Sequence, residues 1–278
     1  MSVESLVFTR RDTEAAEIVP LARGRAAVFT TGSPEREGPN EDAVLLVSLG
    51  PERAVLAVAD GAGGAPAGDQ AAAVALESVL ASLGRAVRGE VVLREAILAG
   101  FEVAHRGVAG LGVGAATTLA VAGLEAESVR TYHVGDSGVV VVGQRGKRKL
   151  QTLAHSPVGY AVEAGLLDER EAMHHEERHL VSNLIGQTEM RVDMSAPLGL
   201  APRDTLLLAS DGLLDNLHLD EVLDTIRKGP LEKAAAGLAE AARRRMHDTR
   251  EGVPSKPDDL TFVLYRAEQR PVRPPPPA

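Results

Sequence analysis

Short hydrophobic runs that end at an acidic residue or a glycine recur along this chain of 278 residues. The clearest run is residues 54–60, in which small and apolar residues lead into Asp60 and then into Gly61. A short apolar run that contains branched residues and is closed by glycine predicts a buried strand. Further strands are predicted at 26–30, 43–49, 117–124, 129–134, 138–142, 204–210 and 260–265.

Longer stretches rich in Ala and Leu, without proline, predict helices. Two such stretches, 69–83 and 90–106, follow one another, and 219–228 and 231–247 form a second pair. Residues 158–186 are charged and also helical in character, with a capping-box pattern at Asp168–Glu171. Because paired helices separate groups of strands, the pattern predicts an α+β sandwich and not a βαβ repeat.

Composition narrows the class of protein. The chain is 44% hydrophobic, which is enough for a large core, and it has no Cys, which excludes disulfides and thiolate zinc sites. Its formal net charge of −9 argues against nucleic acid or an anionic membrane as a partner. No signal peptide is visible at the N-terminus, and no apolar run approaches the ~18 residues of a membrane helix. We therefore expect a soluble, cytoplasmic protein.

Acidic residues stand at the ends of several predicted strands, beside turn-forming residues. They are Asp42, Asp60, Asp211 and Asp258, and Asp136 lies in a further turn. A buried carboxylate must be paired, hydrogen-bonded or on a metal, although Asp60 could instead cap the following helix. Since Cys is absent and few His lie nearby, oxygen ligands would select hard cations such as magnesium, manganese or calcium. Two such ions can activate a water for attack on a phosphate.

Six motifs in order resemble those of the metal-dependent type 2C serine/threonine protein phosphatases, bacterial branch. Any one of them is weak, because Asp-Gly alone is common in turns, but their shared order and spacing over residues 25–266 are specific. His155-Ser156 followed by 162–165 also resembles the mobile flap of that family. The six motifs are Asn40-Glu41-Asp42, 59–64 (Asp-Gly-x-Gly-Gly), 114–118, 134–137 (Gly-Asp-Ser), 210–215 (Ser-Asp-Gly-x-x-Asp) and 258–261.

The resemblance implies a central β-sandwich of two antiparallel sheets flanked by helix pairs, in four αββα layers. It implies a catalytic domain at 25–266 with the flap near 155–186, preceded by the segment 1–24 and followed by a Pro-rich tail at 267–278. The implied activity is hydrolysis of phosphoserine and phosphothreonine in proteins by a metal-bridging hydroxide, with two or three Mn²⁺ or Mg²⁺ ions. The implied partner is a phosphoprotein substrate, and the enzyme would oppose a serine/threonine kinase.

The resemblance also implies a role for each acid. Asp60 would bridge two metals and, with Asp211, form the catalytic pair. The Gly61 carbonyl and Asp42 would hold one ion, directly or through water, while Asp211 and Asp258 hold the other.

A third and weaker site would involve Asp136, Asp211 and Asp215. From the residues alone, Asp136 could merely close its turn, and Asp215 could merely hydrogen-bond the backbone of the turn that follows it.

Two departures from the family pattern concern phosphate and proton handling. The position that often holds a phosphate-binding Arg is Glu37 here, so the neighbouring Arg36 is the predicted substrate-phosphate ligand. A His that some relatives carry after Asp-Gly is Ala62 here. These departures keep open an alternative, in which the chain is a catalytically silent, phosphatase-like signalling partner.

A second alternative rests on His175-Glu176-Glu177-Arg178-His179, which matches the zinc-protease motif His-Glu-x-x-His. On a helix, the spacing would place both His on one face. The charged surroundings and the lack of a third His ligand favour a solvated helix instead.

Overall fold

The computed structural model of the protein describes residues 4–62, 67–248, 250 and 252–268. The strands within these residues are β1 (Glu4–Thr9), β2 (Glu17–Leu21), β3 (Gly24–Thr31), β4 (Asp42–Ser48), β5 (Arg53–Asp60), β6 (Leu119–Glu125), β7 (Ser128–Val134), β8 (Gly138–Val142), β9 (Arg148–Gln151), β10 (Asp193–Met194), β11 (Leu198–Gly199), β12 (Thr205–Ala209) and β13 (Leu260–Ala267). The helices are α1 (Gly68–Val87), α2 (Leu93–Ala109), α3 (Pro157–Glu163), α4 (Glu169–Ala172), a 3-10 helix (Glu176–His179), α5 (Asp211–Leu214), α6 (Leu219–Ile226) and α7 (Leu231–Met246).

Two antiparallel sheets form the centre of the molecule. The first has the order β1-β4-β5-β6-β7-β10, with β11 also paired to β7, and the second has the order β2-β3-β13-β12-β8-β9. Helices α1 and α2 fall between β5 and β6, and α6 and α7 fall between β12 and β13. The predicted α+β sandwich with helix pairs is confirmed.

The side chains of β4 show how the layers are held together. Val44 and Leu46 pack into the core between the two sheets, whereas Leu45 and Val47 pack under α1 and α2. A strand that is covered on both faces reads as a continuous apolar run instead of an alternating one. This is why 43–49 was recognisable as a buried strand from its sequence.

The second sheet is covered in the same way by α6 and α7. On β12, Leu206 and Leu208 face the first sheet, and Leu207 faces the helices. The layers therefore run helix pair, sheet, sheet, helix pair, as predicted. None of the helices in the described ranges has the length and apolar character needed to cross a membrane.

Two stretches differ from the sequence prediction. Residues 158–186 are not one helical region: they contain two short helices, α3 and α4, and the 3-10 helix, joined by loops. The predicted capping box at Asp168–Glu171 is confirmed at the start of α4. The segment 1–24, for which we predicted no element, supplies β1 and β2 as edge strands. Most of the Pro-rich tail and residues 63–66, which include two glycines of the Asp-Gly-x-Gly-Gly motif, lie outside the described residues.

Candidate metal centre

Asp42 and Asp60 lie side by side at one edge of the first sheet. Asp42 begins β4, Asp60 ends the neighbouring β5, and the two residues are direct partners in the antiparallel register. Like charges directly opposite each other destabilise a strand pair. Because the Asp42 side chain is only 2% exposed, water does little to screen its charge. The pair therefore requires a cation or bound protons.

The second sheet brings Asp211 and Asp258 to the same edge. Asp211 begins α5 directly after β12, and Asp258 precedes β13, which is paired with β12. Ser210 Oγ donates a hydrogen bond of 2.7 Å to Asp42 Oδ2, and it accepts one of 3.1 Å from the backbone N–H of Thr261. Residues of two predicted motifs therefore join the two sheets at the site.

Asp60 experiences the charge of all the other predicted central ligands. Burial raises the pKa of Asp60 well above its ordinary value, and the carboxylates of Asp42, Asp211, Asp136 and Asp258 raise it further. Repulsion between converging carboxylates is typical of a site that holds cations. The structure thus brings together acids from five separate parts of the sequence.

One buried oxygen of Asp42 indicates that a metal ion fits at this site. Asp42 Oδ1 is buried and has no hydrogen-bond partner among the described residues. Burial also raises the pKa of Asp42 well above its ordinary value, and Asp259 raises it further. A buried carboxylate oxygen without a partner is costly. Since the nearby donors are oxygens, the site fits hard divalent ions such as Mg²⁺ or Mn²⁺.

Thr117 and Thr118 fix the backbone of Asp60. The Thr117 hydroxyl and the Thr118 backbone N–H each donate a 2.8 Å hydrogen bond to the Asp60 carbonyl. Thr118 Oγ1 accepts one of 3.0 Å from the Asp60 N–H. The next residue, Gly61, forms a bridge with Thr117, and a Cβ on Gly61 would overlap the backbone of Gly68. Only glycine therefore fits at the position whose carbonyl was predicted to bind metal.

Asp136 reaches the cluster from the turn between β7 and β8. Burial raises the pKa of Asp136 to about 8, with further contributions from Asp211 and Asp215. The adjacent Ser137 hydroxyl lies 2.7 Å from Thr118 Oγ1. The turn that carries Asp136 is therefore tied to the same threonine that positions the end of β5.

Lys256 also lies among these acids, although sequence reasoning did not single it out. Its Nζ is 3.1 Å from Asp215 Oδ2 and 3.2 Å from Asp258 Oδ2, and it also contacts Asp211 Oδ2. Burial alone would lower the pKa of Lys256, but the three carboxylates outweigh it and raise that pKa. In the sequence, only its position two residues before Asp258 indicated that Lys256 could lie near the acids.

Arg36 lies on the other side of the centre, in the loop before β4. Its guanidinium forms ion pairs with Glu41 and Asp259. The same Asp259 carboxylate accepts backbone hydrogen bonds of 2.7 Å from Ser33 and Glu41. Arg36 and Glu37 are both exposed, but it is the Arg36 side chain that reaches these carboxylates. The loop therefore presents Arg36, and not Glu37, next to the acids.

A histidine network anchors the base of the flap. His155 Nδ1 accepts hydrogen bonds from the Gly135 backbone N–H at 3.2 Å and from Asn183 Nδ2 at 2.7 Å. Its Nε2 lies 3.3 Å from Asp193 Oδ2, and its ring stacks on that of His133 at 4.4 Å between centroids. Burial lowers the pKa of both histidines. Sequence reasoning identified the flap but not this anchor.

Among the described residues, His133, His155 and Asp193 form one trio whose ring nitrogens and carboxylate oxygen lie within 4.8 Å of one another. Atoms this close together could in principle hold a metal ion. Among the described residues, no three acids of the proposed centre have ligand atoms within that distance of one another. We interpret the trio as a hydrogen-bonded network for two reasons. The rings are stacked, so their lone pairs do not converge on one point, and Asp193 also pairs with Arg191 at 3.0 Å.

The structure does not support the zinc-protease alternative. His175 precedes a four-residue 3-10 helix and His179 is its last residue. With three residues per turn, positions four apart do not share a face. His175 Nδ1 instead accepts a hydrogen bond of 3.1 Å from the Glu177 N–H. His175 and His179 therefore do not share the helical face that the zinc-protease alternative requires.

Comparison with known proteins agrees with this geometry. Residues 33–242 match the family model described as Protein phosphatase 2C. A putative protein phosphatase 2C-type protein of Streptococcus pyogenes is 34% identical over 111 residues, 40% of this chain and 44% of that protein. The protein phosphatase PhpP of Streptococcus pneumoniae is 30% identical over 182 residues, 63% of this chain and 73% of that protein. The match thus spans less than half of the first relative and about three quarters of the second.

Solved structures show the same fold. The PPM Ser-Thr phosphatase MsPP of Mycobacterium smegmatis, in complex with cacodylate, superposes with a TM-score of 0.71 at 26% identity, covering 87% of this chain and 97% of that one. The catalytic domain of the serine threonine protein phosphatase PstP, in complex with two manganese ions, superposes with a TM-score of 0.66 at 25% identity, covering 88% and 99%. The family predicted from the six motifs is confirmed: this chain belongs to the bacterial branch of the protein phosphatase 2C family of serine/threonine phosphatases.

Proposed function

We propose that this chain hydrolyses phosphoserine and phosphothreonine in proteins, with a pair of Mn²⁺ or Mg²⁺ ions held at the candidate metal centre. The observation that carries the proposal is the convergence of Asp42 and Asp60 from one sheet with Asp211 and Asp258 from the other. When bound, two such ions would supply a bridging hydroxide as nucleophile and the positive charge that phosphoryl transfer requires.

Each sheet would supply the ligands of one metal ion. Asp42 and the Gly61 carbonyl, from the first sheet, would hold one ion, and Asp211 and Asp258, from the second, would hold the other. Asp60 would be shared between the two ions. The buried Asp42 Oδ1, which lacks another partner among the described residues, supports this assignment.

A third, weaker site would use Asp136, Asp211 and Asp215. Burial raises the pKa of both Asp136, to about 8, and Asp215, to about 6, and Asp211 adds to each shift. A cation beside these groups would keep them ionised. Because Ala62 offers no proton, we place protonation of the departing Ser or Thr oxygen on this side of the centre.

Substrate binding would use both ends of the centre. Arg36 is held by two carboxylates, but a guanidinium has five N–H donors, so donors remain for a phosphate. At the opposite end, a cavity of about 590 Å³ lies between Asp136 and Asp215 and the flap residues Val158 and Met173. Its size and partly apolar lining suit the side chains that flank a phosphorylated residue. A phosphoprotein made by a serine/threonine kinase is the substrate that we propose.

The experiment that tests this function is hydrolysis of a phosphothreonine peptide with Mn²⁺ and with EDTA. We expect turnover with Mn²⁺, loss of turnover with EDTA, and loss of at least about a thousandfold in Asp60→Asn. The control is Asp224→Asn, since Asp224 lies on the exposed side of α6 and is 75% exposed; this variant should keep full turnover.

The rival interpretations predict different outcomes. Wild-type protein that folds and binds Mn²⁺ but releases no phosphate would indicate a catalytically silent signalling partner, as Glu37 and Ala62 leave open. Asp60→Asn protein that hydrolyses the peptide normally would show that Asp60 is only a structural residue at the end of its strand.

A further inference from the structure

Lys256 puts a fixed positive charge among the acids of the metal centre. Its Nζ contacts one carboxylate oxygen each of Asp211, Asp215 and Asp258, two of them at 3.1 and 3.2 Å. Two of these contacts, with Asp211 and Asp215, are hydrogen bonds, and the contact with Asp258 is an ion pair. The side chain is 21% exposed, so these contacts are partly shielded from water.

The backbone around Lys256 is fixed, which directs its side chain toward the site. Asn216, which is fully buried, accepts a hydrogen bond of 2.8 Å from the Lys256 N–H and donates one of 2.8 Å to the Lys256 carbonyl. Asn216 also donates to the Gly212 carbonyl at 2.9 Å. The segment that carries Lys256 is therefore attached to α5, which begins at Asp211 and is followed directly by Asp215.

An ammonium and a metal ion cannot share these oxygens without cost. The third ion of the proposed function would need Asp211 and Asp215, and both already bond to Lys256. Two cations within a few ångströms of each other repel strongly in a site that is shielded from water. Occupancy by one therefore weakens the other.

On the basis of the proposed function, we infer that Lys256 is an internal cation that competes with the third metal ion for Asp211 and Asp215. Because Asp211 and Asp258 would also hold an ion of the central pair, binding of that pair would leave the Lys256 ammonium beside Asp215 and the shared Asp211. In this chain the centre then holds two ions, and the Lys256 ammonium takes the place of the outer one. Removing the ammonium should free the two carboxylates and allow a third ion to bind.

The test is Mn²⁺ binding, measured by calorimetry and by the electron paramagnetic resonance signal of free Mn²⁺. The samples are wild type, Lys256→Met and Lys256→Arg, which keeps the charge. We expect two bound ions in wild type and in Lys256→Arg. In Lys256→Met we expect a third ion, or a weakest site that binds at least about tenfold tighter.

A matched control is Lys149→Met. Lys149 is 25% exposed and also pairs with a buried carboxylate, Asp204, but it lies outside the acid cluster. This variant should bind Mn²⁺ as wild type does. An effect equal to that of Lys256→Met would show that the loss of any partly buried lysine alters binding, and would overturn the inference.

Thermal unfolding keeps the inference testable if the variant is unstable. Lys256→Met leaves three carboxylates without their ammonium, so we expect its metal-free form to melt lower than wild type. Mn²⁺ should then raise its melting temperature more than it raises that of wild type. If Mn²⁺ raises the melting temperature of Lys256→Met no more than that of wild type, and both bind the same number of ions with the same affinity, the inference about Lys256 is overturned while the proposed function stands. Wild type that binds no Mn²⁺ would instead overturn the proposed function itself.

Discussion

Asp259 organises the loop that precedes β4. Its carboxylate accepts two backbone hydrogen bonds, from Ser33 and Glu41, and pairs with Arg36. An amide at this position would not form the same ion pair with a guanidinium. The extra negative charge beside the metal centre is therefore balanced locally, by the arginine that we propose as the phosphate ligand.

Arg36→Ala should raise KM for a phosphothreonine peptide by about tenfold, while kcat changes less. The reason is that charge-assisted hydrogen bonds to a phosphate contribute about 1.5–3 kcal/mol each. The measurement is steady-state kinetics with Mn²⁺. Glu37→Ala is the matched control, because Glu37 is exposed and lies next to Arg36 in the same loop.

The kinetics must be compared with stability, because Arg36 also supports the loop through Glu41 and Asp259. Arg36→Lys keeps a charge near both carboxylates but lacks the planar fork, so it should also show a raised KM. If Arg36→Ala lowers the melting temperature and leaves KM unchanged, Arg36 is a structural residue and the metals alone hold the phosphate.

The acids of the site were predictable from the sequence, but some of their neighbours were not. Asp42, Asp60 and Asp211 each stand at the end of an apolar run, where a buried charge needs a partner. Lys256 follows no apolar run, and only the fold shows that its segment packs beside α5. His155 was noted as part of the flap, but its bond to the turn before Asp136 depends on contacts between residues that are distant in sequence.

At the scale of elements, the flap depends on a small number of polar contacts. Both of its ends meet at His155: the backbone of Ser182 donates to the His155 carbonyl at 2.8 Å, and Asn183 donates to its ring. Most residues between these ends are exposed or half-buried. The flap therefore lacks a hydrophobic core of its own, and its position is set at its base.

His155→Ala should loosen the flap before it unfolds the rest of the protein. It removes two hydrogen bonds to a buried ring and the stacking on His133, so we expect a loss of about 2–4 kcal/mol of local stability. The measurement is limited proteolysis with trypsin, with mass spectrometry of cuts after Arg170 and Arg178. Cleavage should be faster than in wild type, and faster than in His174→Ala, which changes an exposed His of the same flap.

Equal cleavage rates in His155→Ala and wild type would show that other contacts hold the flap. Faster cleavage at sites throughout the chain would indicate global destabilisation, and would also contradict a local role.

Elements with two buried faces or one broad apolar face were easiest to predict. Many Ala, Val and Leu residues are buried in β4, α1 and α7, and the resulting apolar runs and stripes are visible in the sequence. The flap was predicted as helical because its charged residues have high helix propensity, but without an apolar stripe to bury, only short helices form. β1 and β2 were missed because they are edge strands in which only one residue each is fully buried, and Pro20 in β2 is tolerated because that strand lies at an edge.

At the scale of the whole molecule, the two sheets force like charges together at one edge. Burial raises the pKa of Asp136 to about 8, and it raises the pKa values of Asp42 and Asp60 well above their ordinary value of 3.8. The folded metal-free protein therefore binds protons that the unfolded chain releases. By linkage, this contribution to stability is present at low pH and is lost as the pH rises through the folded pKa values.

The buried histidines have the opposite effect on the pH dependence of folding stability. Burial lowers the pKa values of His133 and His155 from 6.5, so the unfolded chain binds protons below that pH and the folded state does not. Their effect destabilises the protein as the pH falls below about 6.5. Between about pH 8 and 6.5 the acids dominate, and over this range surface carboxylates remain ionised.

We therefore expect the metal-free protein to become more stable as the pH falls from about 8 to about 6.5, by roughly 1–3 kcal/mol or a few degrees in melting temperature. The measurement is thermal unfolding in EDTA at several pH values. Asp136→Asn should flatten this pH dependence, because it removes one of the groups that bind a proton on folding, whereas Asp224→Asn, an exposed control, should leave it unchanged.

Saturating Mn²⁺ should raise the melting temperature most at the higher pH, since cations stabilise the ionised carboxylates. Metal-free protein whose melting temperature stays constant or rises with pH over this range would show that these acids are not held at raised pKa values by the fold, and that the site tolerates their charges without a cation.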